Sequence, residues 1–172
     1  MTLASRTEGD LYVTGNINSG TLTVPAGTIT NSMVVANAGI DATKLMHGIH
    51  KNYSEDIATE ASAFSKCIHI ARTTGTVMAF EVSYEAVAVT DKACAIDLQK
   101  STAGGAFGTI LTGTIALNAS TTVRVVYAGT LTAGASLIDG DILRIVVTLS
   151  GSTGNYPKGI TCEVVIHENY IA

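Results

Sequence analysis

The stretch Thr76-Val77-Met78-Ala79-Phe80-Glu81-Val82-Ser83-Tyr84-Glu85-Ala86-Val87-Ala88-Val89 carries a period of two. Met78, Phe80, Val82, Tyr84 and Ala86 fall on one face, and Glu81, Ser83 and Glu85 on the other. Successive side chains of a strand point to opposite faces, so the stretch reads as a half-buried β-strand. Similar signals flank it at residues 67–72, 93–99, 109–117, 121–127, 142–149 and 160–167. Between them lie Gly, Ser, Thr and Asp clusters at 101–105, 118–120, 133–136, 139–141 and 150–155, residue types that turn the chain. Short strands in close succession with no long helical pattern predict an all-β fold, a β-sandwich.

Composition bounds the function. Charged residues are 14% of the 172, against about 25% in an ordinary domain, while hydrophobic residues reach 47%. That excludes a disordered or polyelectrolyte chain. A compact chain of this size exposes about 8,000 Å², or about 330 Å² per charge, compared with about 185 Å² at average composition. Such sparse charge implies that other protein covers part of the surface. The net charge of −4 and scattered Lys and Arg exclude a nucleic-acid partner. No apolar run of about eighteen residues is present, so no membrane partner is expected. The start, Met1-Thr2-Leu3-Ala4-Ser5-Arg6, lacks the apolar core of a signal peptide, and the chain reads as made and used without membrane insertion. Cys67, Cys94 and Cys162 lie in apolar stretches with no CxxC spacing and are expected as buried, reduced thiols.

The composition shifts near residue 60. Residues 1–60 read as an extended arm and linker, and 61–172 as the sandwich. In the arm, Leu11, Val13, Leu22, Val24 and Ile29 belong to short strands and turns. Asn31 or Ser32 is placed to cap a short helix over 33–36, with Met33 and Val34. Asp41 is placed to cap another over 42–46, with Leu45 and Met46. None of these pieces has a core of its own. The polar residues from Asn52 to Ser62 read as the linker. In the sandwich, Ile142-Leu143-Arg144-Ile145-Val146-Val147 and Val123-Arg124-Val125-Val126-Tyr127 are apolar on nearly both faces. One face meets the opposing sheet and the other needs a second cover. Val123, Val125, Tyr127, Ile145 and Val147 are therefore expected at an interface between copies.

A catalytic set is not found: His47, His50, His69 and His167 fall in no GxSxG, HExxH or P-loop pattern. The expectation is a non-enzyme with no cofactor and no small-molecule substrate. In a homotrimer His47 and His50 would gather six imidazoles around one metal ion, but the plainer reading has them bonding water or backbone. Asp139 and Asp141 with Asp91 offer too few oxygens for an EF-type calcium loop, and a turn explains them. Glu81 with Glu85, and Glu163 with His167, follow from alternation on a solvated strand. Tyr53, Phe64, Tyr156 and Tyr170 either stack on a sugar or plug local gaps.

Two phrases carry a resemblance. One is Gly20-Thr21-Leu22-Thr23-Val24-Pro25-Ala26-Gly27-Thr28-Ile29-Thr30-Asn31-Ser32-Met33-Val34, followed by Ile40-Asp41-Ala42-Thr43-Lys44-Leu45-Met46-His47. The other is Asp97-Leu98-Gln99-Lys100-Ser101 before a Gly-rich hairpin, with Leu137-Ile138-Asp139-Gly140-Asp141-Ile142-Leu143-Arg144 before a hydrophobic strand. The chain resembles the head decoration, or capsid cement, proteins of tailed bacteriophages. The resemblance implies a jelly-roll-like β-sandwich that forms a homotrimer on the outer capsid surface of the virion after synthesis in the host cytoplasm. It also implies that the arm, through Leu11, Val13, Leu22, Val24, Ile29, Met33, Val34, Leu45 and Met46, binds the major capsid protein and stabilises the shell. Tail-fibre and spike proteins use similar phrases, which gives the alternative of a tip domain that binds host saccharide.

Overall fold

The computed structural model describes residues 48–169. Ten strands run through them: β1 (Gly48–Ser54), β2 (Phe64–Ile70), β3 (Gly75–Ser83), β4 (Ala93–Ser101), β5 (Gly108–Thr109), β6 (Ile115–Leu117), β7 (Tyr127–Ala128), β8 (Ser136–Leu137), β9 (Ile142–Ser150) and β10 (Thr161–Glu168). Every pairing is antiparallel. The first sheet has the order β1-β10-β3-β7, with β8 also on β3. The second has the order β2-β9-β4-β5, with β6 also on β4. Helix among the described residues is confined to one 3-10 turn, Ala133–Ala135. The two sheets pack face to face, so the expected all-β sandwich is what forms.

The core follows from alternation. Phe80 and Val82 on β3 and Cys162, Val164 and Ile166 on β10 point inward from the first sheet. Cys94, Ile96 and Leu98 on β4 and Leu143, Ile145 and Val147 on β9 meet them from the second. Each such aliphatic or aromatic side chain contributes about 1.5–3 kcal/mol by leaving water.

Two bulges interrupt the alternation. Val165 pairs with Ala79 and Ile166 with Val77, leaving Met78 as the extra residue on β3. An extra residue reverses the facing of what lies beyond it. Val77 is therefore buried and Met78 is 49% exposed, not inward with Phe80 as the uninterrupted pattern predicts. Ile68 is the extra residue on β2, between Cys67 paired with Arg144 and His69 paired with Leu143.

Several expectations need correction. Part of the stretch read as arm and linker is β1, which pairs with β10 along its full length. Its inward residues are Ile49, Lys51 and Tyr53, a pattern too polar to read as a strand. Residues 123–126 are loop, because Arg124 adopts a positive φ of 59° and donates its backbone N–H to Tyr84 O. Ile145 and Val147 face their own core, so they cannot lie between copies. The outward residues of β9 are Ile142, Arg144, Val146 and Thr148. Val123 and Tyr127 pack against the core, and of that group Val125 alone stays on the surface. The expected 109–117 strand is split into β5 and β6. The arm residues Leu11, Val13, Leu22, Val24, Ile29, Met33, Val34, Leu45 and Met46, the two short helices and His47 lie outside the described residues.

Candidate interaction surface

Four loops gather at one end of the sandwich: 55–63, 84–92, 118–126 and 151–160. Backbone hydrogen bonds hold them side by side. Glu55 donates to Ile160 O at 2.9 Å, Ala61 to Pro157 O at 2.8 Å, Glu85 to Lys158 O at 2.9 Å, Val89 to Asn155 O at 2.9 Å and Arg124 to Tyr84 O at 2.9 Å. The Asp91 carboxylate pins the 151–160 loop, accepting from the N–H and hydroxyl groups of Ser152 and Thr153 at 2.8–3.2 Å. Those bonds, from the Ser152 and Thr153 backbone first, hold Asp91 well below the usual carboxylate range. Gly154 sits at φ 94°, and a Cβ there would meet Val89 O at 1.9 Å, so the close approach of the loops requires glycine.

At this end Ala61, Tyr84, Ala88 and Ile160 turn into the core, while five other apolar side chains are exposed. Ile57 is 70% exposed and Val126 59%, and Val87, Val89 and Val125 join them. Single exposed apolar residues are ordinary, but five on adjoining loops make this end a candidate interaction surface. Arg124 is paired with Glu85 at 2.8 Å within it. Of these five the pattern reading had only Val125 at an interface, because valines in alternation read as strand and the turn at Arg124 puts Val125 and Val126 outside.

The side of the sandwich carries a second feature. β1 and β2 are the edge strands of their sheets, and between them runs an open groove of about 580 Å³. Ile49, Ile68 and Ile70 give it apolar walls, and Lys51 and Arg72 give it positive charge. In it His69 Nε2 lies 2.6 Å from Glu168 Oε1, with both side chains nearly buried. Cys67 also lines the groove, but the bulge at Ile68 turns Cys67 and His69 to opposite faces. Among the described residues no hydrogen bond joins them.

The other sequence candidates are dispersed. His50 Nδ1 lies 2.6 Å from Glu163 Oε1 on the outer face of the first sheet, and no metal-binding cluster of three ligands occurs among the described residues. Asp141 is buried, accepts from Ile138 N–H at 3.1 Å and sits 3.5 Å from Lys100 Nζ, while Asp91 serves the opposite loops. The three aspartates form no calcium set. Tyr53 packs against Phe64 with centroids 4.7 Å apart and the rings tilted by 49°, and Lys92 covers Tyr156 at 4.0 Å, so these rings fill local gaps. Tyr170 lies outside the described residues.

Cys94 and Cys162 are buried as expected, but Cys67 is exposed, because at the sheet edge it faces outward. Burial pushes the Cys94 and Cys162 thiols up to about 12. Beside them, burial also raises Glu55, which accepts a hydrogen bond from Tyr53 Oη at 3.1 Å. No helix among the described residues is long and apolar enough to cross a membrane.

No family model matches the chain, and no curated protein matches its sequence.

Proposed function

We propose that this chain is a structural virion protein, a capsid decoration protein that binds the outer surface of the major capsid protein shell as a homotrimer and stabilises it. The observation that carries the reading is the crown of Ile57, Val87, Val89, Val125 and Val126 on a rigid loop end. It suits shared burial against another protein. A patch of five side chains is small beside the about 800 Å² that a stable interface takes from each partner, and repetition in a trimer raises binding through avidity.

The topology supports the finer fold. Counting β5 with β6 and β7 with β8 as single strands gives eight, of which the first pairs with the eighth, the second with the seventh, the third with the sixth and the fourth with the fifth. A long hairpin rolled on itself would make that order, which supports reading the sandwich as the jelly roll common in capsid and lectin domains. The sparse charge and the two phrases resembling cement proteins point the same way. In mechanism, a shell that opens must first strip the buried contacts between decoration protein and capsid, which raises its barrier to rupture.

Cosedimentation with undecorated phage shells tests the reading. Saturable binding at a fixed number of copies per shell supports it, and protein left wholly in the supernatant contradicts it.

A further inference from the structure

Among the described residues β1 is the edge strand of the first sheet, beside the groove. β1 pairs with β10 through seven consecutive residues without a bulge, and among the described residues its other edge is unpaired. An unpaired edge presents backbone donors and acceptors to any extended chain that reaches it. An added strand would set alternate side chains into the groove, against Ile49, Ile68 and Ile70.

Lys51 decides which strand fits. It stands at an inward position of β1, between Ile49 and Tyr53, and lines the groove with Arg72. Among the described residues neither Lys51 nor Arg72 has an ion-pair partner, whereas the groove's acid, Glu168, is already held by His69. An inward charge on an edge strand opposes pairing with a purely apolar strand, because that pairing would bury the ammonium unpaired. A strand that brings a carboxylate removes the penalty.

We propose that β1 accepts an extended segment of a partner protein whose groove-facing side chains are apolar apart from one acid, and that Lys51, assisted by Arg72, selects for the acid. This deepens the adhesive reading by naming the chemistry gripped at the side of the sandwich. Because it is read on peptides in solution, its failure leaves the shell-binding test standing.

The probes are two blocked heptapeptides added to the full chain, each with threonine at the odd positions and valine at the second and sixth, the fourth position being glutamate in one and lysine in the other. Amide hydrogen exchange across Gly48–Ser54 is the readout. The glutamate peptide is expected to slow the outward-pointing amides of β1 by about tenfold or more, with no effect from the lysine peptide. Lys51→Glu, checked for fold by circular dichroism, is expected to reverse the preference. Equal protection by both peptides, protection by neither, or an unchanged preference in Lys51→Glu would overturn the proposal.

Discussion

His69 Nε2 on β2 lies 2.6 Å from Glu168 Oε1 on β10, so one nearly buried pair ties the edge of the second sheet to the first. The same carboxylate oxygen also accepts from the Arg72 N–H at 3.4 Å, where the chain leaves β2. Removing one member leaves the other without its partner. His69→Ala is expected to cost about 1.5–3 kcal/mol of stability, read in urea unfolding. An unchanged midpoint would show that the pair is dispensable.

The crown separates adhesion from folding. Val125 and Val126 are exposed loop residues, and surface substitutions of this kind usually change stability by no more than about 0.5 kcal/mol. Val125→Asp with Val126→Asp is therefore expected to keep the parent Tm while weakening binding to shells by about tenfold or more. Equal binding by variant and parent would remove the crown from the interface.

The thiols give a test of the core. Cys67 is exposed, while Cys94 and Cys162 are buried with their ionisation pushed up to about 12. A maleimide is expected to label one thiol per folded chain and all three after denaturation. A folded-state pKa above the unfolded value contributes stability that is complete below the ordinary thiol value of 9.0 and fades as pH rises through about 12. Stability is thus expected to fall between those limits, and Cys162→Ala should flatten the decline at some cost in packing. Tyr53, raised to about 12 first by burial and then by Glu55, titrates in the same window.

Asp91 has the opposite sign. Its depressed folded-state pKa contributes stability that is present above the ordinary value of 3.8 and lost as pH falls through the lowered one. Asp91→Asn is expected to speed amide exchange at Ser152 and Thr153 by about tenfold at neutral pH, with little change in the sheets. Unchanged exchange would mean that Gly151 and Gly154 alone shape the loop.

The sequence revealed strands where alternation runs unbroken over a mixed face. β4 and β10 were legible for that reason and β9 from its short apolar run, and with them the two-sheet class. β1 was not, since an inward lysine among polar neighbours looks like a linker. Nor was the facing of β9, because Ile142 to Val147 is apolar on both sides and pairing with β4 alone decides that Ile145 and Val147 point in. Met78 and His69 were misjudged or passed over because a bulge is invisible until the partner strand is known. The crown depends on one left-handed residue, Arg124, and the groove on two sheet edges that no local pattern brings together.

The central claim is that this protein strengthens a shell by adhering to it. The most direct measurement heats undecorated phage shells with and without the purified protein and follows genome release or shell rupture. The account predicts a higher rupture temperature with the parent protein and little gain with the Val125→Asp, Val126→Asp variant. A rupture temperature that the parent protein leaves unmoved at saturating concentration would contradict it.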